Sequence, residues 1–347
     1  MKKNKSSFKR YFLLLLILLS LYASWSLFVR ENFMIYSDSG TEMDFEIEDN
    51  SSLEDVLLIL QKKGNIRNVW SFKVMSKLKR YDTNIKGGIV TLKGGYTNNK
   101  LINSLRNPSK KVINLQIPEN IRLIEDMVIL LEDSVGFERG ELKLYLDTSS
   151  FLSDNKLNMQ TLPSFFIPNT YQIYEGLSVK SFLSKIKIEY DIFWTDERLV
   201  KCDSLGVTKV EVSIIASIVE QEQDKKIDER PMIAGLYLNR LNNPLNFPYL
   251  QADPTVKFAN KNFSIKQVLN KHTSIDDPYN TYKYKGLPPG PICIPSVNSI
   301  DAVLNATNHD YYFMCAGSNG DGYHKFTSTN KEHNRNKDKY KKYQNFK

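Results

Sequence analysis

Two glutamates near the middle of the chain are the strongest candidates for chemistry. Glu220 and Glu222 lie at the end of a segment, residues 208–224, that reads TKVEVSIIASIVEQEQD. The residues before the two acids are apolar almost all round, which is typical of a buried helix. Apolar surroundings disfavour the charged form of a carboxyl group, so a glutamate there can hold a proton and act as a general acid near neutral pH.

Helical spacing places the two acids on different faces. Glu220 lies three, four and seven positions after small residues, which would leave room for a bulky ligand: Ser217, Ala216 and Ser213. Glu222 continues the apolar face of Ile215, Ile218 and Val219. We therefore expect it to turn toward the core and to pair with a cation such as Arg230. The alternative is that both acids mark the solvent-exposed end of a core helix.

Signals at the helix ends indicate how these acids are positioned. Thr208 followed by Glu211 forms a capping box, which fixes the start of the helix that carries Glu220 and Glu222. A second helix is predicted over residues 228–241, with Pro231 in its first turn and one apolar face. Glu220, on the helix that begins at Thr208, is the predicted catalytic residue.

Two later segments suit a carbohydrate cleft: the first is a compact polar cluster, and the second is rich in aromatic and amide side chains. They read LQADPTV (250–256) and PYNTYKYKGLPPGPI (278–292). Candidates for binding or orienting a substrate are Glu222, Asn239, Arg240, Gln251, Asp253, Tyr279, Asn280, Thr281, Tyr282 and His324. Each could instead form a structural hydrogen bond, and the LPPGP stretch could be a rigid connector.

The same segments resemble the MltG (YceG-like) family of endolytic murein transglycosylases. The resemblance extends from about residue 160 onward and rests on five motifs in order: ASIVEQEQ (216–223), ERPMIAGLYLNRL (229–241), the two segments just quoted, and HKFTSTNKEHN (324–334). It implies one catalytic glutamate in the ASIVE segment, which falls on Glu220. Asn169 stands where the family usually has aspartate, and Gln223 where threonine is common.

The resemblance implies cleavage of the bond between N-acetylmuramic acid and N-acetylglucosamine, leaving 1,6-anhydromuramyl ends. One carboxyl group suffices, because the muramyl C6 hydroxyl replaces the second carboxylate that ordinary glycosidases use. Two alternatives stay open: a non-catalytic wall-binding scaffold, and a two-carboxylate hydrolase that uses Glu220 with Glu222 or Asp253. The four histidines lack HExxH spacing, and we expect neither metal nor cofactor.

The N-terminus predicts where the protein works. An uncharged apolar run, Tyr11–Phe28, follows five basic residues. Its length of about 27 Å is close to the thickness of a bilayer core, and the basic flank should stay in the cytoplasm. We expect a single-pass anchor in the cytoplasmic membrane, with the catalytic domain on the extracytoplasmic side. A cleaved signal peptide is the alternative.

The rest of the chain predicts an α+β protein with a small α+β module and a mixed α/β catalytic domain, and the family resemblance implies that the small module is LysM-like. A strand followed by a helix is predicted at 44–60, and a weakly similar strand–helix segment is predicted at 112–131. Asn50 of the first segment corresponds to Asn120 of the second. The predicted segments are an anchor (1–30), a tether (31–43), the LysM-like module (44–106), a linking region (107–162), the transglycosylase domain (163–334) and a basic tail (335–347).

Composition sets limits on partners. The 347 residues carry a formal net charge of +8, much of it at the two ends, without a nucleic-acid-binding motif. The composition therefore predicts no nucleic-acid partner, and the basic N-terminus fits the cytoplasmic membrane. The family resemblance implies peptidoglycan glycan strands and peptidoglycan synthases as further partners. The three cysteines, Cys202, Cys293 and Cys315, allow one disulfide or buried free thiols.

Overall fold

A computed structural model describes residues 4–35, 42–48, 50–108 and 112–345. The chain has the mixed α+β composition that was predicted. It divides into two compact units, the first formed by residues 1–113 and 172–181, and the second by residues 114–171 and 182–347.

The described part of the first unit alternates short helices and strands. Its elements are α1 (Asn4–Phe28), β1 (Glu31–Ile35), β2 (Glu42–Ile47), α2 (Leu53–Lys63), β3 (Gly64–Ile66), α3 (Val69–Leu78), β4 (Gly88–Lys93), β5 (Tyr96–Thr97) and α4 (Asn98–Arg106). β1 lies between β3 and β5 and is antiparallel to both, while β2 pairs with β4. Phe33, Phe45 and Phe72 are fully buried in the core of this unit.

Local signals fix the helices of this unit. Ser52 and Asp55 form a capping box at the start of α2, and the Asn68 and Thr97 side chains cap α3 and α4. These starts confirm the helices predicted for this region.

The predicted tether is wrong for residues 31–35, because they form β1. Asn32 on this strand is buried and donates hydrogen bonds to the backbone oxygen of Asn68 and to the Asn98 side chain. The strand is therefore joined to the starts of both α3 and α4. Residues 36–41 of the predicted tether lie outside the described residues.

The apolar run lies within α1. Residues 10–28 have a mean hydropathy of 2.0, and 6% of the apolar window is buried. The helix is long and apolar enough to cross a membrane, as an anchor or a signal sequence would be.

The second unit is mainly helical in the part that the structure describes. Its strands are β6 (Val112–Ile117), β7 (Asn169–Tyr174), β8 (Phe313–Ala316) and β9 (His324–Thr327). Its helices are α5 (Ile124–Val135), α6 (Glu141–Thr148), α7 (Phe151–Asp154), α8 (Val179–Phe193), α9 (Asp196–Leu205), α10 (Lys209–Glu222), α11 (Arg230–Leu241), α12 (Asp253–Ala259), α13 (Asn270–Thr273), α14 (Val297–Leu304) and α15 (Asn330–Asn345). Residues 112–113 of β6, 172–174 of β7 and 179–181 of α8 belong to the first unit. Short 3-10 helices cover Leu162–Phe165 and Ile227–Glu229.

α10 is the central helix of this unit. The predicted Thr208–Glu211 capping box is present at its start, and it packs against α11, α12 and α14. All residues from Val212 to Glu220 are buried. The buried helix predicted from the apolar sequence is thus confirmed.

Three boundaries differ from those predicted. The second unit begins at residue 114, well before the predicted catalytic domain. The LQADPTV loop turns into α12 at Asp253, and the basic tail continues a helix, α15, to Asn345. The similarity between the two strand–helix segments is also present in the structure. Asn50 and Asn120 both lie between a strand and a helix and adopt a left-handed φ, of 64° and 66°.

Candidate functional site

The two acids at the end of α10 face different cavities. Positions two residues apart on a helix point about 160° away from each other. Glu220 lines one cavity, of about 500 Å³, and Glu222 lines another, of about 590 Å³. We call them the Glu220 cavity and the Glu222 cavity.

Glu220 is buried and hydrogen-bonded. Its Oε2 accepts hydrogen bonds from the Ser296 backbone N–H at 2.6 Å and from the Ser299 hydroxyl at 2.9 Å. Ser296 is the N-cap of α14, where unpaired backbone donors and the helix dipole favour a negative charge. The carboxylate of Glu220 therefore joins α10 to the start of α14.

The small-residue face next to Glu220 is not open, contrary to the prediction. Ser213, Ala216 and Ser217 are all buried. The Ser217 hydroxyl accepts a hydrogen bond from the backbone N–H of Ile292, in the GLPPGPI segment. Packing of that segment, rather than a ligand, covers this face.

The Glu220 cavity has a mixed charged and aromatic lining. Its walls are Glu119, Asn120, Arg122, Glu220, Gln221, Asp224, Arg230, Pro254, Lys257, Phe258, Phe263 and Ile292. Arg122 donates to the Gln221 side chain at 2.6 Å and lies over the Phe263 ring at 4.6 Å.

Glu222 has a different environment from the one predicted. The Tyr237 hydroxyl of α11 donates a hydrogen bond to its Oε1 at 2.6 Å. Burial, assisted by the nearby charge of Asp253, raises the pKa of Glu222 to about 7 in spite of that hydrogen bond. The predicted pairing with Arg230 is wrong, because Arg230 donates instead to the Gln223 backbone oxygen and to the Ser296 side chain.

The Glu222 cavity collects most of the predicted substrate-binding residues. Six of them line it: Glu222, Arg240, Gln251, Asp253, Tyr282 and His324. The Tyr282 hydroxyl donates a hydrogen bond of 2.6 Å to Oδ1 of Asp253, which is the first residue of α12. The carboxyl groups of Glu222 and Asp253 thus line the same cavity as Tyr237 and Tyr282.

A buried acid that the sequence reasoning missed holds His324. Glu229 Oε1 accepts the backbone N–H of His324 at 2.6 Å, and its Oε2 pairs with the His324 Nδ1 at 2.8 Å. Burial lowers the pKa of His324, but the hydrogen bond and charge of Glu229 outweigh burial, and the pKa is raised overall. The only sequence signal was an acid directly before the second helix.

Comparison with known proteins identifies the family of the chain. The model of the YceG-like family matches residues 45–339. The chain belongs to the YceG-like family.

Relatives of this YceG-like chain include proteins that are named for an enzymatic activity. A Bacillus subtilis (strain 168) protein named endolytic murein transglycosylase is 27% identical over 321 residues, which cover 88% of this chain and 87% of that protein. A Streptococcus pneumoniae (strain D39) protein of the same name is 28% identical, over 84% of this chain and 57% of its own length. The YceG-like chain therefore spans little more than half of the streptococcal protein.

A solved structure shares the fold. The crystal structure of a YceG-like protein from Listeria monocytogenes superposes with a TM-score of 0.52 and 24% identity. The match covers 86% of this YceG-like chain and 99% of the Listeria chain.

Four predicted residues of the YceG-like chain line neither cavity. Asn239 donates to the backbone oxygens of His309 and Tyr311. The other three also make structural contacts: Asn280 with the backbone of α13, Thr281 with Thr255, and the Tyr279 ring with the Phe258 ring at 4.5 Å between centroids. Their contacts are those of residues that hold the loops in place.

One face of α15 also lines the Glu222 cavity, which the sequence reasoning did not foresee. The residues follow helical spacing: Asn330, His333, Asn334, Lys337 and Tyr340. The spacing itself was visible in the YceG-like sequence, but the lysine-rich composition suggested a solvated tail. All three cysteines are free, and within the described ranges no group of three or more acidic, histidine or cysteine side chains could hold a metal.

Proposed function

We propose that this YceG-like chain is an endolytic lytic transglycosylase of peptidoglycan, and that Glu222 is its acid–base residue. The activity is the one named for its Bacillus and Streptococcus relatives. The observation that carries the choice of residue is the Glu222 carboxyl group, which has a pKa of about 7 in a cavity lined by five further predicted substrate residues.

The family resemblance assigned catalysis to Glu220, and that assignment stays a prediction. Glu222 accepts one hydrogen bond, from Tyr237 to Oε1, and no described residue donates to its Oε2, which is therefore available to a glycosidic oxygen. Glu220 accepts two hydrogen bonds at the start of α14, and both reach its Oε2. Each acid thus keeps one oxygen without a described donor, and the property that favours Glu222 is its raised pKa.

The chemistry needs one group that gives and then accepts a proton. Protonated Glu222 donates its proton to the oxygen that links the muramyl C1 to N-acetylglucosamine, and that bond breaks. The muramyl C6 hydroxyl then attacks C1, and the Glu222 carboxylate accepts its proton. The muramyl residue ends as the 1,6-anhydro form, and no water is consumed. A pKa near 7 lets one carboxyl group serve in both steps near neutral pH.

A two-carboxylate hydrolase is the second candidate. Asp253 lines the same cavity as Glu222, and its charge raises the pKa of Glu222. Such an enzyme would use water as the final acceptor and would leave reducing muramyl ends.

The predicted location and module complete the proposal. An uncleaved α1 would place the enzyme on the extracytoplasmic side of the cytoplasmic membrane, next to peptidoglycan synthases. The first unit would bind or orient glycan in the way of a LysM-like module. The length of α1 and the strand–helix build of the first unit support these roles.

Mass spectrometry of muropeptides tests the activity. The full-length protein should release 1,6-anhydromuramyl products from purified sacculi. Glu222→Gln should lower the rate by about 10²–10⁴-fold, because glutamine keeps the volume but cannot transfer a proton. Glu220→Gln is the matched control and should keep most of the activity.

Each contrary outcome identifies one error. Reducing muramyl ends would establish the hydrolase instead. An inactive but folded Glu220→Gln protein beside an active Glu222→Gln protein would return the catalytic role to Glu220. Binding of sacculi without products from the unmodified protein would indicate a scaffold.

A further inference from the structure

The C-terminal helix supplies a basic wall of the Glu222 cavity. The face of α15 that lines this cavity carries Lys337 and no acid. The acids within α15 are Glu332 and Asp338, and neither lines the cavity. The carboxyl groups of Glu222 and Asp253 belong to α10 and α12, so the cavity has an acidic part and a basic part on different elements.

Lys337 is the cation of this wall that remains available. It is exposed, and it forms no salt bridge with any residue that the structure describes. Burial lowers the pKa of His333, which lines the cavity, and the charges of Lys337 and Arg240 lower it further. The ammonium group of Lys337 therefore influences the electrostatics of the cavity lining.

Arg240, the other permanent cation of the cavity, is already engaged. Its Nε donates to the Tyr312 backbone oxygen at 2.8 Å, and its Nη1 donates to the backbone oxygen of Leu250. Its guanidinium group also lies 5.6 Å from the centre of the Phe313 ring. Arg240 therefore holds the loops around the cavity, which leaves Lys337 to meet an incoming anion.

We propose that Lys337 binds a carboxylate carried by the muramyl residue next to the cleaved bond. This inference rests on the proposed function. The carboxylate has two sources in peptidoglycan: the lactyl group of a muramyl residue without a peptide, and the acidic groups of an attached stem peptide. The Asp253 carboxylate repels such a group from its side of the cavity and the ammonium group attracts it, so the charges orient the strand.

Binding measurements test the role of Lys337 separately from catalysis. Lys337→Gln is introduced into the full-length Glu222→Gln protein, and Kd is measured for peptide-bearing glycan strands and for amidase-treated strands with free lactyl groups. We expect Kd to rise about three- to tenfold for the strand that supplies the carboxylate, in line with the loss of one exposed charge-assisted contact. Added salt should reduce the difference.

Lys339→Gln is the matched control, because it removes the same charge from α15 at a position that does not line the cavity. A larger Kd with peptide-bearing strands alone would identify the stem peptide as the source of the carboxylate. A larger Kd with amidase-treated strands alone would identify the lactyl group. An unchanged Kd for both strands, or an equal change with Lys339→Gln, would overturn the proposal. Neither result depends on whether the unmodified protein cleaves the strands.

Discussion

Glu220 and Glu222 are chemically identical, and their surroundings give them different properties. Glu220 accepts a backbone N–H and a hydroxyl group at the start of α14. Glu222 receives one hydroxyl group and has a pKa raised to about 7 by burial. At the scale of single residues, burial and hydrogen-bond donors give the two carboxyl groups different surroundings, and on these grounds we propose Glu222 as the catalytic acid.

The raised pKa of Glu222 predicts a pH-dependent stability effect. Because the folded-state pKa lies above the unfolded value, the favourable contribution of Glu222 is complete below about pH 4.5 and is lost as the pH rises through about 7. Glu222→Gln should therefore be more stable than the unmodified protein at pH 8, by about 1–3 kcal/mol, with a smaller difference at pH 5. Urea unfolding at both pH values measures this, and a constant difference would contradict the raised pKa.

Glu229 should affect catalysis through His324. Its carboxylate raises the pKa of His324, and the positive charge of His324 in turn lowers the pKa of Glu222. In Glu229→Gln, His324 is neutral over a wider pH range, so the alkaline limb of the pH–rate profile should move to higher pH. His324→Asn should move the limb in the same direction. A profile that only decreases in height in both variants would indicate a purely structural role.

At the scale of elements, α10 is held by contacts from several directions. Its capping box defines its start, α11 supplies Tyr237, and α14 supplies the donors for Glu220. The GLPPGPI segment contacts Ser217 from a third side. A change at the end of α10 should therefore be felt in the elements around it.

Glu220→Gln tests the junction between α10 and α14. Glutamine retains one acceptor oxygen but loses the negative charge that the start of α14 favours, so we expect a loss of about 0.5–2 kcal/mol of unfolding free energy. Glu220→Ala should lose more, because it leaves the Ser296 N–H and the Ser299 hydroxyl without this acceptor in a buried site. Denaturant unfolding at pH 7 measures both variants. Equal stability of all three proteins would show that the junction contributes nothing.

At the scale of the whole molecule, α1 is the element that is long and apolar enough to anchor the protein in a membrane. Its apolar part is long enough to span a bilayer, and five basic residues precede it. We expect the full-length protein to stay with the membrane after carbonate extraction. Its N-terminal peptide should include residues before Tyr11. A mature protein that begins near Ser24 would instead establish a cleaved signal peptide.

The sequence by itself determined the features that neighbouring residues specify. The apolar run of α1, the Thr208 cap and the buried character of α10 were all predicted and are present. The order of the motifs likewise indicated the YceG-like family, whose model matches residues 45–339. Caps and apolar periodicity act over a few positions, so a single segment contains the whole signal.

Only the tertiary structure decided which groups meet. Residues 31–35 looked like a polar tether, but β1 is stabilised by strands and side chains more than 30 positions away, such as Asn98. Glu222 meets Tyr237 rather than Arg230, and α15 returns Lys337 to the Glu222 cavity. Helical spacing could place the two glutamates on different faces, but the partner of each face depends on how distant helices pack. That packing is a property of the complete core, and no local pattern in the chain encodes it.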